Sequence, residues 1–256
     1  MKNRICAALI LAFLLMPAGV ACSSDETEAR ILFSQGNQFY GQEKFEEAIL
    51  SYEKILEMGL ESGPVYYNLG NAYFKHGSPG KAILNYLRAG RILPNDEDFK
   101  SNLYYAESFI KDPAAPGGER WPARTFKDLA GHFTLSAATI MSSALYFLLS
   151  LAIILAIATK GSKKIFMYAG APLLILLVLF SSIFFSKLSD IVINKRAVII
   201  TQRSDSKFEP FISATTYFTL SEGESVIVIT TKDDWTKIKR IDGKQGWTKG
   251  SDLELL

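Results

Sequence analysis

Two long runs without charge divide the chain. Residues 129–159 contain no Asp, Glu, Lys or Arg, and neither do residues 165–186. Each run is long enough to cross a hydrocarbon core of about 30 Å as a helix, and neither carries the polar stripe of a helix buried in a soluble core. The pattern therefore predicts transmembrane helices over 135–159 and 165–186, with Pro172 bending the second near one end. After residue 194 the pattern changes to short β-rich runs: Ala197-Val198-Ile199-Ile200-Thr201, Ser225-Val226-Ile227-Val228-Ile229-Thr230, Trp235-Thr236-Lys237-Ile238-Lys239 and Gly246-Trp247-Thr248. Gly223, Asp233-Asp234 and Asp242-Gly243 punctuate them as turns. At the other end, Lys2 and Arg4 precede an apolar stretch over 5–16 that ends in Pro17-Ala18-Gly19-Val20-Ala21. About 12 apolar residues fall short of a span, and the small residues behind them predict a secretory signal peptide over 1–21.

Charge fixes the orientation of the spans. Lys160-Gly161-Ser162-Lys163-Lys164 is a short loop with three positive charges and no negative one, which places 160–164 in the cytoplasm. The segments before the first span and after the second then both lie on the exported side, as the signal peptide independently requires. Two readings of Cys22 stay open. Gly19 and Ala21 suit an ordinary signal peptidase, whereas Gly19-Val20-Ala21-Cys22 is also a loose lipobox that would make Cys22 a lipidation site.

Over the whole chain 28 basic residues face 26 acidic ones, a net charge of +2 in 256 residues, and no basic stripe for nucleic acid emerges. Two Cys (Cys6, Cys22) and two His (His76, His132) supply neither a disulfide framework in the mature chain nor a Cys/His metal cluster, so no metal or cofactor is expected. His132 reads as an interfacial residue beside an aromatic belt. Trp121, Phe126, Leu129 and Phe133, interleaved with Arg120, Arg124 and Lys127, suit an amphipathic stretch at the membrane surface.

Between residues 25 and 111 the chain resembles itself at a shift of 34. Gly36, Asn37, Phe39 and Tyr40 superpose on Gly70, Asn71, Tyr73 and Phe74; Ala48, Ile49, Leu50, Tyr52 and Ile55 superpose on Ala82, Ile83, Leu84, Tyr86 and Ala89. Period and pattern resemble the tetratricopeptide repeat. Leu69 and Pro94 fall on that motif's Leu and terminal Pro positions, while Leu60 replaces Pro in the first copy. The resemblance implies helical pairs over 29–62 and 63–96, with Tyr52 and Tyr86 filling the gaps between neighbouring pairs. A third copy starts at Glu97, with Asn102 and Leu103 matching Asn68 and Leu69, but fades by Lys111-Asp112-Pro113. Residues 97–111 are therefore expected as a capping helix with a polar outer face, introduced by Asn95-Asp96-Glu97-Asp98.

In repeats of this kind the first helix of each pair lines a concave groove that holds an extended peptide. The resemblance places Asn37, Tyr40, Tyr67, Asn71, Phe74 and Lys75 there, joined by Ser101 and Tyr105 from the cap, with the Asn amides bonding a peptide backbone and the aromatics packing its side chains. The plainer alternative puts Asn37 and Asn71 on a solvated face. Lys75 alone does not make the Lys and Arg clamp with which some relatives grip a terminal carboxylate. Glu43, Glu46 and Glu47 with Lys44 read as a solvated helix face.

Asp112-Pro113-Ala114-Ala115-Pro116-Gly117-Gly118 opens a linker and interfacial segment over 112–128. Residues 194–256, with Leu220-Ser221-Glu222-Gly223 before a β run, Trp235 after a turn and Gly246-Trp247 before Leu253, resemble a bacterial SH3-like barrel. Some such barrels bind cell-wall peptides and others mediate protein contacts. Tyr217, Phe218, Trp235 and Trp247 form either a ligand surface or part of a small core.

The expected fold class is thus a multidomain membrane protein: an all-α tetratricopeptide repeat domain, a two-helix transmembrane hairpin and a small all-β SH3-like barrel. That order of modules resembles the BatE-like proteins of the bacterial aerotolerance operon. Two recognition modules and no nucleophile, base and orienter set point to an inner-membrane scaffold without catalytic residues, with both large domains in the periplasm, and the resemblance implies a cell-envelope protein. It also implies partners among membrane proteins with von Willebrand A domains and a MoxR-type ATPase, and a role in oxygen or oxidative-stress tolerance. Cell-wall (peptidoglycan) binding or sensing is the alternative function. Contact with membrane lipid follows from the spans, and no nucleic-acid partner is expected.

Overall fold

The computed structural model describes residues 24–111, 113, 121–158, 168, 170–192 and 195–256. The expected signal peptide, Cys22, residues 112 and 114–120 of the linker, the loop 160–164 and residues 165–167 and 169 of the expected second span lie outside the described residues.

Five helices follow one another in the first unit: α1 (Ser24–Gly41), α2 (Phe45–Glu57), α3 (Gly63–Lys75), α4 (Pro79–Ile92) and α5 (Glu97–Glu107). Their boundaries have local causes. Ser62 Oγ accepts from the Val65 amide (3.3 Å) to start α3, and Asp96 Oδ1 accepts from the amides of Asp98 (2.9 Å) and Phe99 (3.3 Å) to start α5. Pro64 and Pro79 stand in first turns, where a missing N–H costs nothing. The turns after α1 and α3 both need a left-handed residue, which is Gly77 (φ 88°) in the second case and Glu43 (φ 60°) in the first. Each helix packs on the next, enclosing a core of Ala48, Tyr52, Leu69, Ala72, Ala82, Ile83 and Tyr86. A Cβ on Gly36 would lie 2.5 Å from the Tyr52 ring, and one on Gly70 2.7 Å from the Tyr86 ring. Each tyrosine therefore lies over the glycine of its own helical pair, and its hydroxyl donates to an asparagine of that same pair, Asn37 for Tyr52 and Asn71 for Tyr86.

A short helix α6 (Trp121–Gly131) leads into α7 (Leu135–Ala158), which packs against α8 (Ala171–Val192). Both α7 and α8 are long and apolar enough to cross a membrane, over Leu135–Ile157 and Ala171–Ser189. Helix α7 matches the expected span at its start. Helix α8 begins at Ala171, with Pro172 in its first turn, and runs past Ser186 through Lys187. Tyr168 and Gly170, just before Ala171, are π-helical, so the proline stands where one helical form passes into the other. Phe126 of α6 and Phe133 pack against Ala138, Leu179, Phe180, Ile183 and Phe184, so α6 leans on one end of the hairpin while Trp121 stays exposed.

The last unit is a seven-stranded antiparallel sheet: β1 (Arg196–Ile199), β2 (Arg203–Lys207), β3 (Thr216–Ser221), β4 (Ser225–Lys232), β5 (Trp235–Lys239), β6 (Gln245–Lys249) and β7 (Leu253–Leu255), in the order β3-β2-β6-β5-β4-β1-β7. In a flat sheet β3 and β1 would stand about 24 Å apart, at ~4.8 Å per strand. Instead Phe218 and Leu220 of β3 share one core with Ala197 and Ile199 of β1, Val226 of β4 and Ile238 of β5. The sheet is curled on itself, and irregularities at Ser206/Lys207 and between Val228 and Thr230 supply the bends.

The helical and β units are packed together. Val198 of β1 and Leu256 belong to the core of the helical unit. Glu222 Oε1 accepts from the Gly80 amide at the start of α4 (3.0 Å). Further along α4, Arg88 donates to Glu254 Oε1 (3.0 Å) and the Leu255 carbonyl (2.7 Å), and Arg91 to the main-chain oxygen of Leu256 (2.9 Å). Gly223 (φ 89°) has no room for a side chain, since a Cβ there would meet Ile83 Cδ1 at 2.6 Å.

Candidate functional site

Helices α1, α3 and α5 carry one hydrogen-bonded motif twice. Asn37 Oδ1 accepts from the Tyr52 hydroxyl (2.8 Å) and from Asn68 Nδ2 (2.9 Å). Thirty-four residues later Asn71 Oδ1 accepts from the Tyr86 hydroxyl (2.7 Å) and from Asn102 Nδ2 (2.9 Å). Asn102 also donates to the Tyr67 hydroxyl (3.0 Å). Each motif links the two helices of one pair to the first helix of the next. The carboxamide oxygens of Asn37 and Asn71 thus serve the stacking of the repeats, and only the Nδ2 groups lie outside these contacts. Asn68 and Asn102 complete both motifs, and their match at the same 34-residue shift is the signal for them.

Around this polar seam stand the aromatics. Tyr40 is half-buried, with its ring 5.5 Å from that of Phe45, and burial together with neighbouring Tyr67 raises its pKa above the usual 10. Tyr67 lies 6.1 Å from Tyr86, whose pKa burial also raises. At the α5 end Phe74, Tyr105 and Phe109 form a triangle with centroid separations of 5.5, 5.4 and 5.2 Å. Tyr105 is 57% exposed and Phe109 53%. Lys75 closes α3 beside Phe74 and is exposed, and Ser101 is exposed on α5. The structure therefore brings Tyr67, Asn71, Phe74 and Tyr105 together, with Asn37 and Tyr40 one repeat away. Phe109 is a member that the repeat pattern does not mark, because it lies where the third copy has faded. The exposed surface of α5 is polar at Glu97, Asp98, Ser101 and Glu107, as expected for a cap, but Tyr104 and Tyr105, with Phe109 just beyond its end, also face solvent.

In the β unit the four aromatics divide. Tyr217 packs against Phe208 (4.4 Å) and Phe218 (5.2 Å), and the Arg240 guanidinium lies 4.8 Å over the Phe218 ring. Trp235 is 8% exposed. It pairs with Lys249, and together with Ile212, Asp233, Asp234 and Ser251 it lines a cleft of about 500 Å³. Trp247 is half-buried and paired with both Lys237 and Lys207. Ile212 and Phe208, on the loop after β2, carry no distinguishing pattern in the sequence. Cys22 lies outside the described residues.

Comparison of the chain with protein-family models finds no match, and comparison with curated proteins finds none either.

Proposed function

We propose that the chain is a non-enzymatic membrane scaffold whose helical unit, read as two tetratricopeptide repeats and a third partial one, presents an aromatic face to a partner protein. The observation that carries this reading is the aromatic triangle in which exposed Tyr105 and Phe109 stand on half-buried Phe74, beside a seam that recurs at 34 residues. Exposed aromatic clusters on a rigid backing are the usual anchors of protein interfaces. The repeated Gly36–Tyr52 and Gly70–Tyr86 contacts support the repeat assignment. In the β unit, a long β2–β3 excursion, the meander β4-β5-β6, a short 3₁₀ turn at Gly250–Asp252 and the return of β7 to β1 support an SH3-like barrel. With the spans in an inner membrane and both units on the periplasmic side, the chain would work as BatE-like proteins do, beside membrane proteins with von Willebrand A domains and a MoxR-type ATPase in an aerotolerance complex.

Affinity capture of the full-length protein from solubilised membranes tests the proposal. The same partner should be recovered with wild type and with Leu50→Ser, which alters an exposed position on α2, and lost with Tyr105→Ser/Phe109→Ser. Equal recovery with both variants would contradict it. A second reading, binding of cell-wall peptide, is favoured by the cleft where Trp235 and Ile212 meet Asp233, Asp234 and Lys249, an apolar floor walled by two carboxylates and one ammonium that could pair with a peptide's charged groups. Co-sedimentation of the full-length protein with purified cell wall, abolished by Asp233→Asn/Asp234→Asn, would favour it over the first.

A further inference from the structure

The sheet hangs on a short tether from the second apolar helix. Helix α8 ends at Val192 and β1 starts at Arg196, so the first residue of the sheet stands at most about 14 Å from the helix end. Arg196 shares a cavity wall with Lys187 of α8 and Leu135 of α7. Strand pairing fixes what else lies at that end of the sheet. Arg196 stands opposite Ile227 of β4, which runs on past it to Lys232; Lys232 pairs with Trp235, and Trp235 with Lys249. The loop between β2 and β3 folds onto the same end, where Ile212 lines one cleft with Asp233, Asp234, Trp235 and Lys249. The β5–β6 turn, with exposed Ile241, marks the opposite end.

The β2–β3 loop is strongly apolar on its outside. Phe208, Phe211 and Ile212 are all exposed, Ile212 by 77%, and the Phe208 ring packs on exposed Tyr217 at 4.4 Å. Its shape is held from within. The Phe208 amide donates to the Thr215 carbonyl (3.2 Å), the Ala214 amide to the Phe211 carbonyl (3.2 Å), and the Lys207 ammonium to the carbonyls of Ile212 and Ala214.

We infer that this loop is a lipid anchor, with Phe208, Phe211 and Ile212 entering the interfacial layer of the bilayer beside the hairpin. Exposed apolar side chains bind a bilayer surface in proportion to the area they bury, and carbonyls already bonded inside the loop enter it at little cost. Lipid is the occupant because the tether keeps this end of the sheet within reach of the headgroup layer, which adds about 5–7 Å to the hydrocarbon on each side. Lys232 and Lys249 at this end are offset by Asp233, Asp234 and the loop's own Glu209. Apolar burial, not headgroup charge, therefore drives the contact.

The test uses the full-length protein in phosphatidylcholine nanodiscs, with an environment-sensitive fluorescent amino acid in place of Ile212 or, as control, of Ile241, and a nitroxide quencher on the acyl chains near the headgroups. The probe at 212 should emit as from an apolar medium and lose most of its emission to the quencher. The probe at 241 should lose none, and added phosphatidylglycerol should change neither. Phe211→Ser should restore most of the emission at 212; should that variant not fold, the comparison of 212 with 241 stands by itself. An unquenched probe at 212, equal quenching at both positions, or quenching that requires phosphatidylglycerol would overturn the inference. So would a probe at 212 that shifts in native membranes but not in lipid nanodiscs, since a protein would then cover the loop. The inference rests on the membrane-spanning reading, which carbonate extraction tests separately: protein released by carbonate sinks the spanning itself, whereas protein retained with an unquenched probe at 212 sinks only the anchor.

Discussion

Asn71 holds two donors with one oxygen, and one of them, Tyr86, is a buried tyrosine whose hydroxyl has no water to fall back on. Removing the acceptor should therefore cost more than removing the donor. Asn71→Ala is expected to lower stability by about 1–3 kcal/mol and Tyr86→Phe by about 1 kcal/mol, with strong coupling between them in a denaturation cycle. These asparagines are consequently poor probes of partner binding, since their loss loosens the stack on which any binding face depends. Glu43 illustrates the opposite case. It occupies, at φ 60°, the turn position that Gly77 fills one repeat later, so Glu43→Gly should raise the melting temperature, by relief of strain of about 1 kcal/mol. The buried tyrosines also predict an alkaline limit. Burial pushes Tyr52 and Tyr66 up to about 12 from the usual 10. A folded state that holds its protons more tightly gains stability that is complete below pH 10 and is lost as pH rises from 10 through 12. Ultraviolet titration should show this buried class ionising above the range of free tyrosine, together with unfolding. The sequence shows which residues recur at 34. Which atoms they share is set by helix rotation, and so the seam of Asn37, Tyr52 and Asn68 was not legible as a network.

At the scale of elements, helices, the long apolar ones included, are dictated by neighbours a few residues apart, and they read well. The two apolar runs became α7 and α8, and the 34-residue shift anticipated α1 to α4 with their turns. Fading of the repeat after Asn102 hid the far end of α5, where Phe109 completes the aromatic triangle. A cap that exposes Tyr104, Tyr105 and Phe109 is an unfinished edge. Helix α5 should gain hydrogen-exchange protection when a partner binds the full-length protein, and α2 should not. In the sheet, the strands were legible but the roles of their aromatics were not, because curling decides which face of β5 and β6 points inward. That puts Trp235 at the wall of a cleft and turns Tyr217 toward Phe208.

At the scale of the whole molecule the decisive contacts join residues far apart in sequence, and no local pattern announces them. Gly80 and Glu222 are separated by 142 positions, Arg88 and Glu254 by 166. A Cβ on Gly80 would meet the Ile199 carbonyl oxygen at 2.6 Å. Gly80→Val should therefore part the two units at a cost of about 1–3 kcal/mol, visible as lost exchange protection around Val198 and Glu222 while α1 to α3 keep theirs. Joined in this way on one hairpin, the aromatic face and the Trp235 cleft would meet a common membrane partner at high effective concentration. Whether the aromatic face is the working surface is the central question, and site-specific photo-crosslinking in intact membranes answers it most directly. A crosslinker placed at Tyr105 should yield one defined protein adduct, absent when the crosslinker is at Leu50 and absent when Phe109→Ser accompanies it. Adducts of equal yield at Tyr105 and Leu50, or none at Tyr105, would contradict the scaffold reading.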